Sequence, residues 1–130
     1  MERIVITGGT GFIGSWLIRE LIQNHIEVVA LVRNVRTTVF DDMKDNKLLR
    51  MIQYNSPEYD ALPEVIGRVD AFYHLAWAGV STQQKNDGQL QLENIHFSME
   101  MLDYAAKIKA DRFLGMGTVA EYAFSENTIE

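Results

Sequence analysis

The fold is decided by residues 4–15, Ile4-Val5-Ile6-Thr7-Gly8-Gly9-Thr10-Gly11-Phe12-Ile13-Gly14-Ser15. The first three residues are branched and apolar, which favours a buried strand, and an apolar helical pattern starts at Trp16. The glycines between them permit a turn whose backbone can meet a ligand closely while the helix packs on the strand. A helix N-terminus presents unpaired N–H groups and the positive end of its dipole. The stretch therefore predicts a binding site for a phosphate group.

The glycine-rich stretch has two other interpretations. A nucleoside-triphosphate loop needs Lys directly after its last glycine, whereas Ser15 follows Gly14 here. That alternative is therefore disfavoured. The second alternative is a tight strand-to-helix turn that binds no ligand, and the spacing of the glycines alone leaves it open.

Length and composition fit one ordinary soluble domain. The chain has 130 residues, of which 47% are hydrophobic and 23% are charged, as is usual for globular proteins. A net charge of −6 argues against a nucleic-acid partner, because phosphate backbones bind basic surfaces. No apolar run approaches the length of a membrane span. The absence of cysteine excludes disulfides and thiolate metal sites, and it fits a cytoplasmic protein.

Strand and helix patterns alternate along the rest of the chain. Further strands are predicted at 27–32, 49–54, 69–77 and 112–118, and helices at 16–22, within 37–50 and at 61–67. The longest helix has an apolar face that should cover the core, formed by Leu92, Ile95, Met99, Leu102, Ala106 and Ile108. One apolar run per strand predicts an α/β fold, a doubly wound, Rossmann-like parallel sheet of about five strands with helices on both faces.

The second predicted strand ends at Arg33, where a dinucleotide-binding unit faces the ribose of its adenosine. An acidic residue at this place would hold the 2′-hydroxyl, but no carboxylate stands beside Arg33. A guanidinium suits a 2′-phosphate through paired, charge-assisted hydrogen bonds. The sequence therefore favours NADP over NAD. The alternative is that Arg33 stacks on the adenine or is solvated.

The fourth predicted strand ends in His74, Leu75, Ala76 and Trp77. A doubly wound sheet admits its ligand at the carboxyl ends of its strands, so Leu75, Ala76 and Trp77 are predicted to line a cofactor cleft. For His74, a hydrogen-bonded structural role is favoured over catalysis. Asn94 interrupts the apolar face of the long helix, and it needs a hydrogen-bond partner if it is buried.

Taken together, these motifs resemble the extended short-chain dehydrogenase/reductases, the NAD(P)-dependent epimerases and dehydratases. The loop from Gly8 through Gly11, Phe12 and Ile13 to Gly14 is similar to the cofactor loop of that family. The stretch from Asp70 to Ala76 resembles its D-x-x-x-H-L-A strand, which implies that Leu75 and Ala76 lie beside the cofactor. Asn94 matches an Asn early in the long helix of the family. Asn55 stands where the family usually has an adenine-contacting Asp.

The same resemblance implies a catalytic position and exposes a departure. Thr118 matches the family's catalytic Ser or Thr, whose hydroxyl contacts the reacting oxygen of the substrate, with an aromatic, Tyr122, four residues later. Without the resemblance, a strand-end threonine bonded to the backbone would be favoured. The family's proton-transfer pair is a Tyr with a Lys four positions later, and none of the five tyrosines has it. The resemblance therefore implies one NAD(P)-binding domain over residues 1–130, incomplete at its C-terminal end and without the substrate-binding portion.

Three functions follow from the sequence as hypotheses. The first is the NAD(P)-binding part of an epimerase, dehydratase or reductase acting on a nucleotide sugar or related carbonyl compound, inactive as this chain alone. The second is a non-enzymatic dinucleotide-sensing or protein-interaction module. The third is a degenerate chain that binds nothing. If further strands belong to the sheet, its exposed edge predicts self-association into a homo-oligomer.

Overall fold

The computed structural model describes residues 2–118 and contains five strands and three α-helices within them. Residues 119–130, which include Tyr122, lie outside the described part of the chain. In chain order the elements are β1 (Arg3–Thr7), α1 (Phe12–Gln23), β2 (Glu27–Val32), β3 (Leu49–Gln53), α2 (Pro57–Val65), β4 (Ala71–His74), α3 (Gly88–Lys107) and β5 (Phe113–Gly115). A single 3-10 turn, Asp41–Met43, stands where a short helix was predicted.

The five strands form one parallel sheet in the order β3-β2-β1-β4-β5. The chain moves outward from β1 first to one side and then to the other, so the connections diverge between β1 and β4. Such a divergence leaves a crevice at the carboxyl ends of the central strands, where open α/β sheets bind their ligands. The topology therefore places the glycine-rich turn after β1 and the loop after β4 next to each other.

Each face of the sheet has its own core. On one face, α1 buries Ile18 and Ile22 against Ile6 and Val28. On the other face, α2 and α3 bury Leu62 and Met101 against Val5 and Phe72 of the sheet. Since Val5 and Ile6 are neighbours on a central strand and face opposite cores, β1 is buried on both sides. The doubly wound, Rossmann-like prediction is confirmed.

The prediction for the apolar face of α3 was wrong for five of its six residues, because Ala106 is exposed as well, while Ile108 at the C-cap is buried as predicted. Leu92, Ile95, Met99 and Leu102 are all between 45% and 57% exposed. The helix instead buries Asn94, Met101, Tyr104 and Ala105. The exposed stripe follows the buried one by a single position, which turns it by about 100° around the helix. Two apolar stripes side by side gave one wide pattern in the sequence, and only one of them meets the sheet.

Smaller differences have local causes. Helix α2 begins at Pro57, ahead of the predicted start, because Ser56 caps it by accepting a hydrogen bond from the N–H of Tyr59 and proline suits the first helical position. The strands β4 and β5 are shorter than predicted and end at His74 and Gly115. None of the helices within residues 2–118 combines the length and the apolar character needed to cross a membrane.

Candidate cofactor-binding site

A cleft of about 1020 Å³ opens at the carboxyl ends of the central strands. Its floor and walls come from the turn after β1, the segment after β2, the loop after β4 and the first turns of α3. Its lining includes Thr7, Gly8, Gly11, Arg33, Arg36, Thr38, Tyr54, Leu75, Ala76, Trp77, Ala78, Glu93, Asn94 and Phe97. The cleft is thus at the place where the sequence predicted a dinucleotide site.

Two glycines of the turn are required by the packing of the chain itself. Gly8 has a φ of 73°, and a Cβ there would lie 2.6 Å from the backbone N of Ala76. A Cβ on Gly14 would lie 2.1 Å from the carbonyl oxygen of Gly8. Both neighbours are backbone atoms that cannot move aside without shifting an element. These glycines therefore hold the turn, the loop after β4 and the start of α1 in close contact.

Gly11 is different, because the protein itself leaves room for a side chain there. A Cβ on Gly11 would meet only the carbonyl oxygen of Gly8, at 3.4 Å, and the backbone is extended with a φ of −75°. Gly11 lines the cleft and is the N-cap of α1, which has neither a side-chain cap nor an acidic residue in its first turn. A glycine that internal packing does not require, at an uncapped helix N-terminus, fits the approach of an anionic group to the backbone.

The end of β2 contributes positive charge. Arg33 and Arg36 are exposed and line the cleft with Thr38, and neither guanidinium has an ion-pair partner within residues 2–118. Among the described residues that line the cleft, the one carboxylate is that of Glu93, on α3 rather than beside β2. The β2 side of the cleft therefore attracts an anion.

An aromatic wall stands near the end of β3. Tyr54 lines the cleft and meets Phe97 of α3 edge-on, with 5.2 Å between ring centroids. Its hydroxyl is hydrogen-bonded to the carboxylate of Glu100. Burial, together with this carboxylate, raises the pKa of Tyr54 to about 12. The ring is thus held in place as a neutral phenol, which is a surface on which a flat base can pack.

The loop after β4 is fixed to α3 by side-chain hydrogen bonds. The Oδ1 of Asn94 accepts from the N–H of Ala78 at 2.9 Å, and its Nδ2 donates to the carbonyl of Ala78 at 2.8 Å. The indole N–H of Trp77 donates to Gln91 Oε1 at 2.9 Å. Asn94 is 6% exposed, so the partner that the sequence required for it is the backbone of this loop.

His74 lies under the same loop with both ring nitrogens in hydrogen bonds. Its Nδ1 is 2.7 Å from Thr7 Oγ1, and its Nε2 is 2.9 Å from Ser98 Oγ. Burial lowers the pKa of His74 below its ordinary value. The hydrogen-bonded role predicted for His74 matches this geometry.

The structure gathers most of the predicted site residues in the cleft. Gly8, Gly11, Arg33, Leu75, Ala76, Trp77 and Asn94 all line it. Gly14 is buried behind the turn, and Phe12 and Ile13 are exposed in the first turn of α1 without lining the cleft. Asn55 lies in a second depression, of about 360 Å³, that shares Tyr54 with the cleft. Thr118 follows β5 as the last described residue and is not part of the lining.

Several lining residues had not been predicted from the sequence. Arg36 and Thr38 follow β2 in a segment without clear periodicity, and the charge of Arg36 was the one available signal. Tyr54 and Phe97 come together from β3 and α3, which lie far apart in the sequence. Their pairing depends on tertiary structure, so no local pattern could have indicated it.

The sheet order, the glycine turn and the cleft define the Rossmann-like class of α/β nucleotide-binding domains. Comparison with known proteins identifies the family within this class. Residues 4–130 match the model of the NAD dependent epimerase/dehydratase family, and the chain belongs to that family.

Curated relatives support the same assignment. The chain is 31% identical over 123 residues to UDP-glucuronic acid decarboxylase 1 of Arabidopsis thaliana, which covers 92% of this chain and 27% of the relative. It is 31% identical over 109 residues to UDP-glucuronic acid decarboxylase 6 of the same plant, covering 83% of this chain and 31% of the relative. The chain therefore spans about a quarter to a third of the length of these curated relatives.

Solved structures share the fold. The UDP-Glc/GlcNAc 4-epimerase of Campylobacter jejuni superposes with a TM-score of 0.75 at 17% identity, over 98% of this chain and 40% of the epimerase. The enzyme WbmH of Bordetella bronchiseptica, solved in complex with NAD+, gives a TM-score of 0.63 at 23% identity, over 87% of this chain and 38% of WbmH. At these identities the likeness concerns the fold.

Proposed function

We propose that this chain binds a nicotinamide dinucleotide in the cleft, as the cofactor-binding part of an epimerase, dehydratase or reductase of nucleotide sugars or related carbonyl compounds. The observation that carries the proposal is Gly11. The chain could accept a Cβ there, yet the residue is glycine, at an uncapped helix N-terminus that faces the cleft. A pyrophosphate on the first-turn amides explains both features.

The cofactor favoured by the cleft is NADP. Arg33 and Arg36 stand at the end of β2, where the adenosine ribose of a dinucleotide lies in this fold, and Glu93 is on the far wall. Two guanidiniums without ion-pair partners within residues 2–118 suit a 2′-phosphate and offer no acceptor to a 2′-hydroxyl. The family name and the NAD+ found in WbmH support a nicotinamide cofactor without deciding between its two forms.

The nucleotide-sugar substrate is supported by the relatives, several of which are UDP-glucuronic acid decarboxylases. Thr118 remains our candidate for the hydroxyl that contacts the reacting oxygen of the substrate. Phe12, Ile13 and Asn55 remain candidates for cofactor contacts. The compartment that we propose is the cytoplasm, whose reducing conditions suit a sequence without cysteine.

We further propose that the 130-residue chain alone has no turnover. The sequence contains no Tyr followed four residues later by Lys, the pair that the resemblance to the short-chain dehydrogenase/reductases implies for passing the proton while hydride moves to the nicotinamide. The same absence favours the second candidate function, a dinucleotide-sensing or interaction module that never catalyses a reaction. Turnover by a longer natural chain that carries this domain distinguishes the two candidates, since a sensing module shows none.

Isothermal titration calorimetry with NADPH and NADH tests the binding proposal. We expect both to bind at one site, and NADPH to bind about tenfold more tightly, which is about 1.4 kcal/mol. Equal or reversed affinities contradict the NADP preference. The absence of binding heat with both cofactors contradicts the binding function. Incubation with UDP-glucuronic acid and NAD+ or NADP+ tests inactivity, and any product formed by this chain contradicts it.

Self-association is the last part of the proposal. Within residues 2–118, strand β5 is an edge of the sheet, and its Phe113 and Leu114 are 37% and 48% exposed. The exposed stripe of α3 lies on the flank opposite to Glu100 and Tyr104, which contact Tyr54 and α2. An exposed apolar helix flank, together with the edge strand of the sheet described by residues 2–118, supports a second copy of the chain as the partner.

A further inference from the structure

His74 joins three elements beneath the cleft, and its hydrogen bonds have a direction. Its side chain belongs to β4 and is 5% exposed. It meets the hydroxyl of Thr7 on β1 and the hydroxyl of Ser98 on α3. Ser98 Oγ in turn donates to the carbonyl oxygen of Asn94 at 2.9 Å. These groups form an unbroken chain of hydrogen bonds from the sheet to the helix.

The positions of the hydrogens in this network can be assigned by starting from the hydrogen bond between Ser98 and Asn94. A hydroxyl has one hydrogen, and that of Ser98 is used on the Asn94 carbonyl. Toward His74, Ser98 can then only accept, so the hydrogen between them belongs to Nε2. A neutral imidazole has a single N–H. Nδ1 is therefore an acceptor, and the hydroxyl of Thr7 donates to it.

The opposite tautomer would leave a buried donor unsatisfied. With hydrogen on Nδ1, Thr7 would accept from His74, and its own hydrogen would need another acceptor. Thr7 is 1% exposed, and within residues 2–118 the hydrogen-bond partner of its hydroxyl is His74. An unpaired buried donor loses its hydration without compensation. The Nε2–H arrangement satisfies all three hydrogens.

We propose that His74, held as the Nε2–H tautomer, is the positioning residue for the wall of the cleft formed by Leu75–Ala78. The wall begins directly after His74, where the N–H of Leu75 donates to the carbonyl of Thr7 at 3.1 Å. It ends at Ala78, which the side chain of Asn94 holds at both polar backbone groups. The hydrogen bonds that run from Thr7 through His74 and Ser98 to Asn94 thus connect the two residues that hold the ends of the wall.

The surroundings of the ring keep it neutral. Phe97 and Phe113 pack on the imidazole with centroid separations of 5.5 and 6.2 Å. Together with Thr7 and Ser98, the groups that hold or stack on the ring carry no charge. Burial lowers the pKa of His74, so the neutral form with one donor and one acceptor persists at physiological pH.

Nitrogen NMR on protein labelled at its histidines reads the tautomer, with or without a cofactor. We expect His74 to show a protonated Nε2 and a bare Nδ1 at neutral pH. His25 and His96 are exposed and serve as references in the same spectrum. A hydrogen on Nδ1, or an even mixture of the two tautomers, overturns the proposal.

Amide hydrogen exchange at Ala78 tests the positioning role. Ser98→Ala removes the acceptor for Nε2–H, and we expect exchange at Ala78 to become about tenfold faster. Ser98→Thr keeps the hydroxyl and should restore slow exchange. His96→Gln changes an exposed residue on the same helix and should have no effect. Unchanged exchange in Ser98→Ala overturns the positioning role. If that variant does not fold, His74→Asn replaces it, since its short amide keeps an acceptor for Thr7 but cannot reach Ser98.

The effect on the cofactor rests on the proposed function and is measured separately. We expect NADPH to bind Ser98→Ala three- to tenfold more weakly, roughly the loss of one hydrogen bond, with recovery in Ser98→Thr. Equal affinity in Ser98→Ala and the unchanged protein contradicts a role of His74 in shaping the cleft. If the unchanged protein binds no dinucleotide, the proposed function fails. The NMR measurement of the His74 tautomer and the hydrogen exchange at Ala78 still decide the role of His74.

Discussion

The side chain of Asn94 forms hydrogen bonds with both backbone polar groups of Ala78, at 2.9 Å to the nitrogen and 2.8 Å to the carbonyl oxygen. Asn94 on α3 thereby supplies the one donor and one acceptor that a neighbouring strand would otherwise supply to Ala78. The loop after β4 has left the sheet at this point, yet it keeps a paired backbone. Asn94 therefore holds the Ala78 end of this wall of the cleft.

Substitution of Asn94 should show how much its two hydrogen bonds to Ala78 contribute to stability. Asn94→Asp keeps the acceptor for the N–H of Ala78 but places a carboxylate against its carbonyl, so we expect a loss of about 1–3 kcal/mol of unfolding free energy. Asn94→Ala leaves both backbone groups of Ala78 unpaired and should cost a similar amount. Chemical denaturation measures both. Gln89→Ala, at an exposed position of the same helix, is the control, and a loss no larger than in this control contradicts the assigned role.

Gly11 and Gly14 should respond differently to the same substitution. A Cβ on Gly14 would overlap the carbonyl of Gly8, so Gly14→Ala should destabilise the fold by about 1–3 kcal/mol. A Cβ on Gly11 meets no such neighbour, so Gly11→Ala should change stability little and weaken NADPH and NADH binding about tenfold or more. Thermal unfolding and calorimetry on both variants check the pair. A Gly11→Ala protein that binds both cofactors normally would contradict a phosphate site at this turn.

Arg33→Ala should weaken NADPH selectively. Removal of a bidentate guanidinium from a phosphate costs about 1.5–3 kcal/mol, which corresponds to at least tenfold in affinity, whereas NADH should be affected little. Arg112→Ala removes an exposed arginine that does not line the cleft and is the matched control. Equal weakening of NADPH and NADH in Arg33→Ala would assign Arg33 to the adenine instead of the 2′-phosphate.

Stability should fall at mildly acidic pH because of His74. Its pKa is lowered by burial from the ordinary value of 6.5. As the pH falls through 6.5, the unfolded chain takes up a proton that the folded chain resists, so the folded state loses stability until the lower folded pKa is reached. The slope from one such group is at most about 1.4 kcal/mol per pH unit. Denaturation between neutral and acidic pH should show a flatter profile in His74→Gln than in His96→Gln, and identical profiles would refute the assignment.

Self-association should depend on the exposed flank of α3. Sedimentation velocity over rising concentrations should show dimers or larger species, because Ile95, Met99 and Leu102 lie together on that flank. Met99→Glu should shift the equilibrium toward monomer by at least tenfold. Gln89→Glu adds the same charge near the start of α3 and should not. A clean monomer at high concentration would count against a second copy as the partner.

Much of the fold could be predicted from local patterns. The strand, turn and helix at residues 4–22 follow from branched residues, glycines and helical periodicity, all of which act over a few neighbours. The placement of Leu75, Ala76 and Trp77 at a ligand cleft followed from a general rule about parallel sheets. The α3 face was mistaken because two apolar stripes have the same period, and periodicity does not tell which stripe meets the sheet.

The sequence by itself determined the order of elements and the doubly wound class, since the strand and helix patterns depend on near neighbours in the chain, and it predicted a phosphate site at the glycine turn. Only the tertiary structure decided that Gly8 and Gly14 are required by packing while Gly11 is not, because their neighbours include the backbone of Ala76. It likewise decided that Asn94 holds Ala78 and that His74 lies between Thr7 and Ser98. Those relationships join residues from separate elements, and they exist only once the sheet and its helices have packed together.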